Sequence, residues 1–130
     1  MPVRKYGNKK ITVDGVTFDS KKEYLRWCEL CLLEKAGHIT DLRRQVKYEL
    51  IPAQYEEYER YSEKTGKRLK NGLRCIEKEC SYVADHYYKD SSGKVHVEDV
   101  KGYKGGGAYE VFSIKRKLMR HIHGIAVEEV

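Results

Sequence analysis

The chain has 130 residues, of which 40% are hydrophobic and 35% charged, a balance that suits one compact domain with an ionised surface and excludes a disordered tail or two independent cores. The formal net charge of +6 favours a polyanionic partner, because clustered lysine and arginine release condensed counterions when they neutralise phosphates. No apolar run approaches the ~20 residues that span a bilayer, and Met1–Tyr6 lacks the apolar stretch of a secretory signal; no membrane association and a cytoplasmic location with reduced thiols are therefore expected.

Residues 1–10 are basic, carry Gly7 and read as an arm. Ile11 to Phe18 reads as a small hairpin turning at Asp14 and Gly15. Ser20 and Glu23 have the spacing of a capping box, and Tyr24, Trp27, Cys28, Cys31 and Leu32 recur at helical spacing, which predicts a helix from about Lys21 to Ala36, stopped at Gly37. From Gln45 to Ile51 the chain alternates with the period of a strand until Pro52 removes a backbone donor. Residues 52–80 shift to tyrosine, glutamate, lysine and arginine around Thr65-Gly66 and Asn71-Gly72, read as turns, and form a projecting hairpin or loop.

Ser81 to Tyr88 and Lys94 to Lys101 are strand-like runs joined by Asp90 to Gly93, so they are expected as a hairpin in one sheet. The glycine-rich connection Gly102 to Gly107 suits a mobile flap as well as a plain loop. It leads into a helix from Tyr109 past Met119, with Val111, Ile114, Leu118 and Ile122 as the apolar face and a basic face opposite. Gly124 to Val130 reads as a last strand. The order predicts an α/β domain with a mixed central sheet flanked by helices.

Side chains two apart on a strand share a face, which puts Asp99 and Lys101 together and turns Glu98 the other way. The hairpin brings Asp85 to the same sheet edge. Two carboxylates on adjacent strands repel unless a cation lies between them. Magnesium is suited to this, since it takes oxygen ligands, keeps several waters and bridges a carboxylate to a phosphate. Lys101 would then orient the water or offset charge at phosphorus. The alternative is a surface salt-bridge cluster contributing ~0–1 kcal/mol per pair.

The combination of Glu23 on the first helix, Ala84-Asp85 on a strand, and Asp99-Val100-Lys101 on its partner resembles the PD-(D/E)XK nuclease superfamily, over about residues 19–130. Ala84 stands where the motif's name has proline. Tyr6-Gly7, Gly15, Phe18 to Ser20, Gln45 and Val97 to Gly102 are similar to a small phage-associated family related to Holliday junction resolvases. The resemblance implies a restriction-endonuclease-like fold and hydrolysis of DNA, branched DNA in particular, by a homodimer using Mg2+ or Mn2+ and no small-molecule cofactor. It implies Asp85, Asp99 and the Val100 carbonyl as ligands, Lys101 at the water, Glu23 as an acidic helper also counted in the metal set, and Lys115 as a further basic residue of the site.

Lys104, Lys115, Arg116, Lys117 and Arg120 are the expected phosphate-contacting group, followed by residues 64–74, with a solvated basic face as the alternative. Tyr55, Tyr58 and Tyr61 suit stacking on bases or packing between subunits. Cys28, Cys31, Cys75 and Cys80 are spaced loosely for zinc, and the first two suit packing as small hydrophobes. A non-catalytic nucleic-acid-binding module that keeps the fold is the competing function.

Overall fold

The computed structural model describes residues 9–102 and 104–130. The basic arm expected over residues 1–10 therefore lies outside the described residues except for Lys9 and Lys10, which are exposed. Tyr6 and Gly7 of the quoted resemblance lie outside them too. No described helix is long and apolar enough to cross a membrane.

The chain forms β1 (Ile11–Val13), β2 (Val16–Phe18), α1 (Lys21–Lys35), β3 (Ile39–Ile51), β4 (Gln54–Tyr61), β5 (Arg68–Glu77), β6 (Cys80–Asp90), β7 (Val95–Asp99), α2 (Gly106–His123) and β8 (Glu128–Glu129). A four-stranded sheet in the order β3-β6-β7-β8 is the centre. β3, β6 and β7 pair antiparallel and β8 joins β7 in parallel, so the sheet is mixed, as the element order predicts. β1 with β2, and β4 with β5, make separate two-stranded ribbons.

Local chemistry sets the ends of these elements. Asp14 and Gly15 both take positive φ, the requirement of a tight hairpin turn. The Ser20 hydroxyl accepts from the Glu23 N–H at the start of α1. At its other end Gly37 has φ +83°, and the N–H groups of Gly37 and His38 reach back to the carbonyls of Glu34 and Leu33. This satisfies two carbonyls that the helix leaves free.

Several expectations shift. β3 begins at Ile39, six residues earlier than its alternation suggests, because a bulge beside Asp41 breaks the period while pairing with β6 continues. Asn71 and Gly72 lie inside β5 and not at a turn; Gly72 pairs with Tyr58, and the turn lies over residues 62–67. α2 starts at Gly106, so the last two residues of the glycine-rich connection belong to the helix. The final strand shrinks to two paired residues, although Val127 before it is buried.

Both helices also bury a different stripe from the one expected. On α2, Phe112 and Met119 enter the core and Leu118 packs half-buried against it as expected, whereas Val111, Ile114 and Ile122 are exposed. Apolar residues stand side by side at 111–112 and 118–119, so the sequence holds two overlapping stripes and the sheet selects one. On α1, Leu30 is buried and Leu33 half-buried, while Leu32 is 69% exposed. Tyr24, Trp27, Cys28, Cys31 and Leu32 instead line an open groove of about 470 Å³ against β1 and β2.

The core divides between the helices. Leu50, Tyr82, Ala84, Val97, Phe112, Met119 and Val127 pack together on the α2 side, and Leu30, Ile39 and Tyr88 on the α1 side. Ala84 and Tyr88 lie four apart on β6, yet they join opposite clusters. The phase slips at Asp85: beyond it Tyr87 packs with the α2 cluster, and His86 stacks on Trp27 of α1. The same slip occurs across the ladder on β3, where Gln45 has φ +55°, Tyr48 and Leu50 join the α2 cluster, and Leu42 joins the α1 cluster.

Candidate active site

The slip at Gln45 and Asp85 turns both side chains toward the junction of α1, β3, β6 and β7. Glu23, in the first turn of α1, is 3% exposed. One of its carboxylate oxygens accepts from the backbone N–H of Asp19 at 3.2 Å. The other accepts from Arg44 at 3.3 Å and from the Gln45 amide at 3.1 Å. Glu23 therefore serves the helix start and joins the acidic cluster in one geometry.

The Gln45 amide nitrogen also lies 3.4 Å from Asp85 Oδ1, which links the two carboxyl groups. Asp85 Oδ2 accepts from the Val100 N–H at 2.8 Å. Because His86 pairs with Glu98, this places Asp85 beside the end of β7, next to Asp99. Asp99 is 7% exposed; its Oδ1 lies 2.9 Å from Lys101 Nζ and its Oδ2 accepts from the Tyr82 hydroxyl at 2.6 Å. The Lys101 ammonium also sits 3.6 Å from the centre of the Phe112 ring, a cation–π contact. β8 fixes the end of β7 through the bonds Val130 N–H to Asp99 O and Lys101 N–H to Val130 O.

Electrostatics separates the three carboxyl groups. Glu23 has Arg44 and Asp99 has Lys101, but Asp85 makes no ion pair among the described residues. Burial pushes the Asp85 carboxyl up to about 6, and the charges of Asp99 and Glu23 add to this against the opposing Val100 hydrogen bond. Tyr82 is pushed far up by burial and by its bond to Asp99, so it stays a neutral donor.

Asp85, Asp99, Lys101 and Glu23 thus converge as the sequence pattern predicts. Val100 contributes its N–H to the cluster, where its carbonyl was expected to act. Lys115 is half-buried on α2 and makes no hydrogen bond or ion pair with these groups among the described residues. Of the expected phosphate-contacting residues, Lys104 and Arg116 lie 3.9 and 3.8 Å from Glu129; Lys117 and Arg120 are exposed. All four cysteines are free thiols. Among the described residues no three His, Cys, Asp or Glu side chains are gathered as a ready-made metal cage.

Sequence reasoning gave no role to Gln45, Tyr82 or Arg44. A polar amide inside an otherwise alternating strand is the signal for the first; the hydroxyl of Tyr82 gives none, since a strand tyrosine reads equally as core. It also missed a second polar centre on the other side of the sheet. Glu98, 2% exposed, takes two hydrogen bonds from Arg26 at 2.9 and 2.5 Å and one from the Tyr88 hydroxyl at 2.7 Å.

The chain matches the family described as Protein of unknown function (DUF1064) over residues 3–125, and it belongs to that family. No curated protein and no solved structure matches it.

Proposed function

We propose that this member of the DUF1064 family is a divalent-metal-dependent DNA endonuclease of the PD-(D/E)XK kind, with Asp85 and Asp99 holding Mg2+ or Mn2+ and Lys101 serving the attacking water. The observation that carries this reading is the meeting of Asp85 with the Asp99–Lys101 pair at a break in the sheet, with Glu23 tied in through Gln45. Asp85 has no cation of its own among the described residues, and a half-buried carboxylate beside two others is unfavourable unless something positive joins it.

The donor set fits a hard ion that keeps water and completes its shell with substrate phosphate, which needs only one or two protein carboxylates. When bound, such an ion polarises the phosphate and makes a coordinated water more acidic. The chain's own groups have separable tasks. Lys101, steered by Asp99 and the face of Phe112, presents N–H donors to the water and to phosphate oxygens as the water oxygen bonds to phosphorus and a P–O ester bond breaks. Glu23 and Gln45 position Asp85. Tyr82 holds Asp99 in one rotamer. Lys115, Lys117 and Arg120 remain for phosphate contact, and the Val100 carbonyl for a backbone ligand.

The uncovered stripe of Val111, Ile114 and Ile122 supports pairing of two copies, since contiguous exposed apolar surface marks interaction sites. Branched DNA is the proposed preferred substrate, and action inside a bacterial host cell follows if the gene is carried by a phage. The competing reading, a binding module without catalysis, draws support from the direct Lys101–Asp99 ion pair, which leaves both Asp99 oxygens engaged.

Incubating the protein with linear, nicked and four-way-junction DNA, with Mg2+, with Mn2+ and with chelator, tests the proposal. Metal-dependent nicking lost in Asp85→Asn and Asp99→Asn is expected. Full cleavage by either variant, or no cleavage of any substrate with metal, overturns it.

A further inference from the structure

The ribbon of β4 and β5 belongs to neither core cluster, and every residue of β4 is exposed. A two-stranded hairpin is marginally stable by itself in water, so a ribbon kept free of the domain's core calls for a use outside it. Its eight-residue first strand extends about 25 Å at the usual rise per residue.

Charge is sorted along its length. The root carries Glu56, Glu57, Glu59, Glu77 and Glu79 against Arg74 and Lys78, and Arg74 pairs with Glu56 across the ladder. The distal part, residues 60–71, carries Arg60, Lys64, Lys67, Arg68 and Lys70 against Glu63, a net +4 in a chain whose total is +6. None of those five cations forms an ion pair among the described residues. The basic residues of α2 contrast with this, because Lys104 and Arg116 are drawn to Glu129.

The ribbon is also kept thin. Tyr58 lies across Gly72 on the partner strand, where a β-carbon would fall 2.5 Å from the tyrosine ring. Arg74 stacks 5.2 Å from the centre of the same ring. Any other residue at 72 would force the ring outward and thicken the arm.

We infer that the β4–β5 ribbon is a duplex-DNA arm that enters the major groove, its tip cations binding phosphates away from the acidic cluster. The major groove, about 12 Å wide, admits a two-stranded ribbon, and unpaired cations at the tip supply the counterion release that drives such binding. The inference shares with the proposed nuclease only the premise that DNA is the partner.

The test measures binding of the whole protein to a short labelled duplex in chelator, where no hydrolysis enters, across a range of salt. The triple variant Lys67→Ala, Arg68→Ala and Lys70→Ala is expected to lose at least about 30-fold in affinity at moderate salt and to flatten the log–log salt slope by about 2–3. Glutamine at the same three positions keeps the side-chain reach and removes the charge, and it should behave alike even if the alanine variant melts lower. Ile76→Ala, exposed near the ribbon root, should bind within about twofold of the parent. An unchanged slope in the glutamine variant overturns the inference, as does tighter binding of single-stranded than of duplex DNA, or loss of binding only in Lys117→Ala with Arg120→Ala. Absence of metal-dependent cleavage alongside tip-dependent binding sinks the nuclease reading alone.

Discussion

Glu98 and Asp99 are neighbours on β7, yet the two polar centres they belong to obey opposite rules. On the α1 side Glu98 has a guanidinium and a phenol bound to its carboxylate. Burial alone would raise it, but the hydrogen bonds from Arg26 and Tyr88, with the His86 ring 3.7 Å away, take it down to about 2. On the other side Asp85 has a distant amide, one backbone N–H and two carboxylate neighbours, and it rises to about 6. The protein evidently can neutralise a buried carboxylate where structure is all that is at stake. Asp85 has no cation partner among the described residues, a local instability of the sort that clusters at functional sites.

The sharpest break in this comparison comes from catalysis. Asp85→Asn and Asp99→Asn are each expected to lower metal-dependent cleavage by about 1,000-fold, in the range of losses from removing a key electrostatic group, with duplex affinity in chelator kept within a few-fold. Glu98→Ala should do the reverse. Removing the carboxylate leaves Arg26 with Glu29 as its partner and takes the acceptor from the buried Tyr88 hydroxyl, at a cost of about 1–3 kcal/mol, read as a lower denaturation midpoint, while cleavage per folded molecule stays at the parent level.

The two centres should also separate by pH in the metal-free protein. Asp85 holds its proton in the folded state up to about 6 against 3.8 for a free aspartate side chain, so the folded chain binds more protons over that window. Its contribution to stability is present below about 4 and is lost as pH rises through about 6. Asp85→Asn escapes the loss and should be about 2–3 kcal/mol more stable than the parent at pH 8, with the difference fading below pH 4. Glu98, depressed from 4.5 to about 2, contributes stability above about 4.5 that disappears as pH falls toward 2. Denaturant titrations at pH 3, 5 and 8 check both signs; a less stable Asp85→Asn at pH 8 would contradict the account of Asp85 as an uncompensated group. The smallest effect is expected from Tyr82→Phe, which removes one hydrogen bond to a charged acceptor and should cost about 1.5–3 kcal/mol, less any relaxation at the Asp99 end. Chemical denaturation again reads it, and no loss would mean that water replaces the phenol.

Much of the candidate site was legible because its signals are local. Ser20 with Glu23 announces a helix start, Asp14-Gly15 a tight turn, and Asp99-x-Lys101 a shared strand face; each depends on backbone geometry within a few residues. The pairing of Asp85 with the end of β7 followed from the short connection at Asp90 to Gly93. The helix faces were not legible, because adjacent apolar residues on α1 and α2 offer two stripes and only the sheet beneath chooses between them. Nor was the role of Gln45, whose positive φ makes sense only against Asp85 on the next strand.

By itself the sequence determined the ends of α1, the turn between β1 and β2, which charges fall in which stretch, and that an aspartate, a second aspartate and a lysine would share one sheet edge. Tertiary structure decided how well each charge is neutralised and where the strand alternation slips. The reason is physical: propensity, capping and turn chemistry act over a few residues, whereas burial and ion pairing depend on which distant groups arrive, and Arg26 reaches Glu98 while among the described residues no cation pairs with Asp85.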